Sequence, residues 1–354
     1  MTTVVVAGAL AGKAGNGGEA WVRLTYVLGL RKLGFHARFV EQAESPSPAA
    51  VAYFEEVTTR FRVEASLLDQ EGRPLVGSPL EGADLLLNIS GNLRSKALRD
   101  RFARTAFLDI DPGFTQLWHV RGTERIPDHH VYFTVGANIG GADCTIPSGG
   151  IMWRPTRPPV LLDRWAASGG GFDRFTTVAS WRCPYGPIDG YGLKHHEWRR
   201  FARLPSLTKL PFEAVLRIDP ADEADRSSLE AAGWNVLDPA VVADPHAFHD
   251  YVRSSGGEFS VAQGIYVETK SGWFSDRSVR YLASGRPVLV QDTGFGTSLP
   301  VGAGLFSFRG PDEAAAAART IVDDYERHAR AARSVAEECF DSDKVLAAML
   351  EDAL

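Results

Sequence analysis

The stretch Ile265-Tyr-Val-Glu-Thr-Lys-Ser-Gly-Trp-Phe-Ser-Asp-Arg-Ser-Val-Arg-Tyr-Leu-Ala-Ser-Gly-Arg-Pro-Val-Leu-Val-Gln-Asp-Thr-Gly-Phe295 decides the fold. It reads as a loop, a capped helix, a tight turn and a strand. Ser275 is a good N-cap for a helix beginning at Asp276. Gly285 ends that helix, Pro287 cannot continue it, and Val288–Val290 form a strand. Arg277 and Ser278 stand beside the free backbone N–H groups of the helix start. Such a terminus attracts anions, and an arginine adds a two-pronged phosphate partner.

The same strand–loop–helix grammar runs outward from there. Val4–Gly8 is a β-branched run followed by the glycine-rich turn 12–18 and by a helix with Ala20, Leu24, Val27 and Leu28 on one face. Asn16 with Glu19 reads as a capping box, Gly34 ends the helix, and Ala37–Val40 is the next strand. This is one βαβ unit. Further strands read at 85–89, 106–110 and 131–135, each running into a polar, glycine-bearing loop. Loops of that kind form the binding edge of an open α/β sheet. Proline is dense at 147, 155, 158 and 159, which places a linker at about 155–170. The pattern restarts at Phe175–Trp181 and continues through strands at 214–218, 235–237, 259–262, 288–290 and 305–308. Helices are expected at 247–253, from Pro311, and from about Asp341 to the end.

The expected architecture is therefore α/β, with two facing Rossmann-like domains and C-terminal helices. The domains are an N-terminal unit, 1–160, and a C-terminal unit, 170–335. A terminal helix, 336–354, would pack back on the first unit. A chain of 354 residues suits two cores better than one. A net charge of −6 gives no sign of nucleic acid as a partner. Three cysteines, Cys144, Cys183 and Cys339, lie far apart without a CxxC pair, which fits a reducing cytoplasm and argues against a thiolate zinc site. The opening residues read as a strand and not a signal peptide, and no segment reads as a membrane span. The oligomeric state is not legible.

Ala283-Ser-Gly-Arg-Pro-Val288 resembles the donor half of GT-B glycosyltransferases, where such a turn closes a glycine loop and short helix. Ser271–Ser278 and Gln291–Phe295 resemble a generic bacterial group of that type. The resemblance implies transfer of a sugar from a nucleotide-diphosphate donor to a small acceptor, with secondary metabolism as the setting. It places the donor diphosphate at the helix start, near Ser271, Gly272, Trp273, Ser275, Arg277 and Ser278, with Glu268 as a carboxylate for a donor hydroxyl. It also implies that the long loop Trp181–His196 meets the donor phosphates, with Lys194 as the partner and Arg182 behind it. The chain departs from the family's retaining members. Where many carry two glutamates eight positions apart, this chain has Gly272 and Arg280.

On the acceptor side an inverting transfer needs a base. Asp111 sits at a strand end before Pro112-Gly113; Asp109 shares its strand, and His119, His129 and His130 are imidazole candidates. The loop Gly15-Asn16-Gly17-Gly18 and Asn138 would border the acceptor. Each position has a plainer reading: the glycine loop as a tight turn, Asp111 as a turn residue, Arg277 as a partner of Asp276, the histidine pairs as exposed. No cofactor or metal is expected, since the histidines lack acidic neighbours at ligand spacing. Two other functions stay open. One is an NAD(P)-dependent oxidoreductase, for which Glu41 lies where a ribose-binding acid could follow the second strand. The other is a non-catalytic GT-B-like ligand-binding protein.

Overall fold

The computed structural model describes residues 1–167, 169–182 and 185–354. Cys183 and Pro184, inside the long loop quoted above, lie outside the described residues. Eight strands make the first sheet: β1 Thr3–Ala7, β2 His36–Gln42, β3 Ala65–Leu68, β4 Pro74–Val76, β5 Leu85–Ile89, β6 Arg104–Asp109, β7 Val131–Thr134 and β8 Trp153–Pro155. Six make the second: β9 Phe175–Ser180, β10 Phe212–Arg217, β11 Trp234–Leu237, β12 Gly257–Ser260, β13 Val288–Gln291 and β14 Leu305–Phe308.

The orders are β4-β3-β2-β1-β5-β6-β7-β8 and β11-β10-β9-β12-β13-β14. All neighbours pair parallel except β3 and β4. Each sheet therefore starts near its middle and reverses its direction of growth, between β1 and β5 in one and between β9 and β12 in the other. The helices that follow the two central strands diverge there and leave a crevice at the strand carboxyl ends. The proline-dense segment differs from the sequence reading. Trp153–Pro155 extends the first sheet as an edge strand, where a missing N–H costs nothing.

The two halves share a core. Trp21, on the helix Gly17–Lys32, packs edge-on against Trp165 with ring centroids 5.2 Å apart, and Trp165 meets Phe248 at 6.2 Å. The Trp21 indole N–H donates to the Pro245 carbonyl at 2.8 Å. Burying an aromatic ring of roughly 200 Å² at about 25 cal/mol per Å² contributes some ~5 kcal/mol, against about 1 kcal/mol for the hydrogen bond. Packing dominates this seam. The last helix, Ser342–Ala353, lies on the first half: Leu346 reaches Gly29, and Arg104 Nε donates to the Ala353 carbonyl at 3.1 Å.

Candidate functional site

A cleft of about 490 Å³ runs between the halves along the strand carboxyl ends. The first half lines it with Gly15, Asn16 and Gly18 after β1, Ser90 and Asn92 after β5, and Asp111 after β6. The second half contributes Arg182 and Lys194 after β9, Arg217 at the end of β10, and Gln263, Tyr266 and Trp273–Arg277 after β12. Lys13, Arg23, Arg94, Arg182, Lys194, Arg217, Arg277 and Arg280 bring positive charge to it; Glu19, Asp111 and Asp276 bring negative charge. A molecule of net charge −6 thus surrounds a cleft rich in cations.

The helix Asp276–Ala283 begins at the cleft, and Ser275 caps it by accepting from the Arg277 N–H at 3.3 Å. Arg277 itself turns inward. Its Nε donates to Glu258 at 2.5 Å, Nη1 to the Val178 carbonyl at 2.7 Å and Nη2 to Ser260 at 2.6 Å. The reading of Arg277 as a phosphate clamp is corrected accordingly: all three nitrogens are engaged in tying β9, β12 and the helix together. Ser278 is fully buried and absent from the cleft wall. Ser271 is buried too, its hydroxyl accepting from the Trp273 N–H at 3.2 Å. Gly272 has φ +74°, and a Cβ there would stand 2.9 Å from Asn138. Glu268 is exposed off the cleft and accepts from Gly192 N at 3.4 Å. These three shape the loop that presents Trp273, which lines the cleft stacked on Tyr266 with centroids 4.6 Å apart.

Arg182 reaches the cleft, but Asp222 holds it in a two-pronged pair at 2.5 and 2.7 Å. Lys194 is the first residue of the helix Lys194–Phe201; its backbone N–H donates to Gln263 at 2.8 Å. Arg217 is exposed and makes no side-chain hydrogen bond or ion pair among the described residues, so its charge is uncompensated.

Across the cleft, Asp109 is fully buried and saturated. It accepts from Thr115 and Thr134 hydroxyls at 2.7 Å each, Gln116 at 2.8 Å and the Asp111 N–H at 3.0 Å. It fixes the loop that aims Asp111 outward. Asp111 accepts from the Tyr266 hydroxyl at 3.2 Å, across the domain seam. Desolvation by burial, with the charges of Asp109 and Glu19, pushes its carboxyl up to about 6. A carboxyl tuned toward neutrality is suited to taking and giving protons.

His119 does not join it. Its Nδ1 accepts from Ile126 N at 3.1 Å, its ring sits beside Gly149, and it is off the cleft wall. It holds a loop, and its role as a base is corrected. His129 and His130 are likewise bound to neighbouring segments, by Pro127 O at 2.7 Å and Thr105 N at 3.0 Å.

Two acceptor-side readings also change. Asn138 is a clasp between halves: its Nδ2 donates to the carbonyls of Lys270 at 2.9 Å and Gly294 at 3.1 Å. Gly17 is required by close approach, since a Cβ there would lie 2.4 Å from the Asp244 carbonyl oxygen. Asn16 accepts from the Glu19 N–H at 3.2 Å, but the Glu19 carboxylate goes to Arg23 instead of back to the cap.

Glu41 accepts the N–H groups of Leu10, Ala11 and Gly12 at 2.7, 2.6 and 2.8 Å. The chain's own carboxylate thus fills the donor cradle after β1, where a dinucleotide pyrophosphate would sit in the oxidoreductase alternative. Glu41 is not a ribose ligand. Among the described residues no three His, Cys, Asp or Glu side chains are grouped to hold a metal.

Sequence reasoning missed Arg23, Arg280 and Tyr266. The signal for the first two was an arginine set among apolar neighbours on a buried helix face.

Two facing Rossmann-like halves with a cleft at their switch points and helices closing the chain define the GT-B glycosyltransferase fold, and this chain has it. It is similar over 99% of its length to all of HepE from Anabaena, solved with UDP and glucose (TM-score 0.60, 11% identity). It is similar over 99% of its length to 98% of the pneumococcal O-GlcNAc transferase GtfA, solved with UDP and GlcNAc (0.58, 10%). AviGT4, a glycosyltransferase involved in avilamycin A biosynthesis, matches 99% of this chain over 96% of its own (0.56, 12%). No protein-family model and no curated protein matches the sequence.

Proposed function

We propose that this chain is a glycosyltransferase moving a hexose from a nucleoside-diphosphate donor, a uridine diphosphate sugar first among them, to a small-molecule acceptor. The observation that carries this is the cation-rich cleft facing one carboxyl raised toward neutrality. The second half binds the donor, with Lys194, Arg217 and the start of the helix Asp276–Ala283 on its diphosphate and Trp273 and Tyr266 as an aromatic platform. Asp111 is the base of an inverting transfer. It takes the proton of the acceptor hydroxyl as that oxygen bonds to the anomeric carbon, and the bond to the diphosphate breaks on the opposite face. The leaving charge meets fixed cations, so no metal is needed for it. The preferred setting is the cytoplasm, with secondary metabolism supplying the acceptor.

A thermal-shift screen against uridine, thymidine, guanosine and adenosine diphosphates, with NAD alongside, tests this. A ligand bound only by the folded state raises Tm by mass action. A rise with one nucleoside diphosphate, diminished in Lys194→Ala, supports the reading and names the base. A rise with NAD alone refutes it.

A further inference from the structure

Two buried arginines that the transfer step does not use line the cleft, one from each half. Arg23 comes from the helix Gly17–Lys32 of the first half, and Arg280 from the helix Asp276–Ala283 of the second. They are 5% and 2% exposed, and both line the cleft. Their settings mirror each other. Each gives Nη1 to a carboxylate one turn earlier on its own helix, Glu19 or Asp276, and Arg23 Nη1 also donates to the Glu19 carbonyl at 3.2 Å. Each leaves its Nε buried with no hydrogen-bond partner. Neither Nη2 makes a hydrogen bond among the described residues. The Arg280 guanidinium lies 5.8 Å over the Trp165 ring, which fixes its plane. Burial pushes the Tyr26 hydroxyl up, Asp276 adds to the rise, and Arg23 and Arg280 oppose it, so charges from both halves bear on this one hydroxyl.

A guanidinium has five N–H donors, and one carboxylate contact leaves most of them unspent. An anion between two such groups would take up the N–H donors that Glu19 and Asp276 leave over. We infer that Arg23 and Arg280, with Tyr26 beside them, form a site for a phosphate group gripped by both halves at once. As a statement about substrate this rests on the transferase reading; as a statement about anion binding it does not. The phosphate belongs either to the donor diphosphate or to the acceptor, and the test separates the two.

The experiment is calorimetric titration of the whole chain with inorganic pyrophosphate and with UDP. The proteins are wild type, Arg23→Gln, Arg280→Gln, Glu19→Gln and the double variant Arg23→Gln/Glu19→Gln. Pyrophosphate affinity is expected to fall about tenfold or more in each arginine variant. It should rise in Glu19→Gln, which keeps Arg23 and frees it, and that gain should vanish in the double variant. The Glu19→Gln arm stands even where an arginine variant does not fold. A parallel fall in UDP affinity assigns the phosphate to the donor; unchanged UDP binding with weakened pyrophosphate binding assigns it to the acceptor. No pyrophosphate binding by wild type, equal binding by all variants, or a Glu19→Gln gain that persists without Arg23 overturns the site. A protein that transfers no sugar yet shows Arg23-dependent pyrophosphate binding loses the transferase reading and keeps the site.

Discussion

The two walls of the cleft differ in charge although each sheet grows outward in both directions from its first strand. The first wall carries Lys13, Arg23 and Arg94 against Glu19 and Asp111; the second carries five cationic side chains, of which Arg182 is paired with Asp222, Arg277 with Glu258 and Arg280 with Asp276. The junctions after their central strands differ as well. After β1, Glu41 accepts the N–H groups of Leu10, Ala11 and Gly12, and Gly17 and Gly18 pack closely on Asp244 and Phe248. After β12, Arg277 is drawn inward, and the helix start stays on the cleft wall. The same architecture thus yields one wall with a carboxyl raised toward neutrality and one wall where the Arg217 cation is unpaired among the described residues. The fold sets where the walls lie, and a handful of internal ion pairs sets which wall does what.

The largest expected effect breaks the first wall. Asp111→Asn should lower kcat by about a thousandfold, within the range of removing a general base, and leave the Kd for UDP within twofold. Its Tm at pH 8 should not fall, because the raised carboxyl is a cost to the folded state when ionised. A loss of UDP binding instead would place Asp111 in the donor site.

Forcing the walls apart comes next. Gly17→Ala puts a methyl against the Asp244 carbonyl oxygen and should cost about 1–3 kcal/mol in urea unfolding. An unchanged midpoint would show that the seam yields at no cost. On the second wall, Lys194→Ala and Arg217→Ala should each weaken UDP about tenfold by calorimetry, or some ~1.4 kcal/mol. Equal effects on the acceptor KM with none on UDP would reverse the assignment of walls.

The pH profile sharpens the comparison. Asp111 must be ionised to act, so kcat should fall as pH drops through about 6, and this limb should be missing in Asp111→Asn. Glu19 helps to raise Asp111, so Glu19→Gln should move the limb to lower pH. The smallest effect is expected of His119→Gln, which removes only a contact to Ile126 N: kcat within about twofold.

Much of the fold was legible because its signals are local. β5 and β14 start and end where the apolar runs do, and the capped helix, turn and strand around Ser275–Val290 stand as read. β3, β4 and β8 were missed; each is three or four residues long, and two contain a proline at a sheet edge. The helix Pro48–Arg60 was missed too, though Ser47 caps it and Pro48 opens it. The site was less legible, since partners distant in sequence decide it. Nothing near Arg277 announces Glu258, and nothing near Gly17 announces Asp244. Asp111 could be proposed from its place at a strand end, but its tuning depends on Glu19, ninety-two positions away, and on its buried neighbour Asp109.

Glu41 has one more consequence. By keeping an internal anion in the first junction, the chain carries a built-in mimic of the ligand that such junctions ordinarily attract. An anion that reaches the first junction finds its backbone donors already taken, which gives the cleft a single polarity.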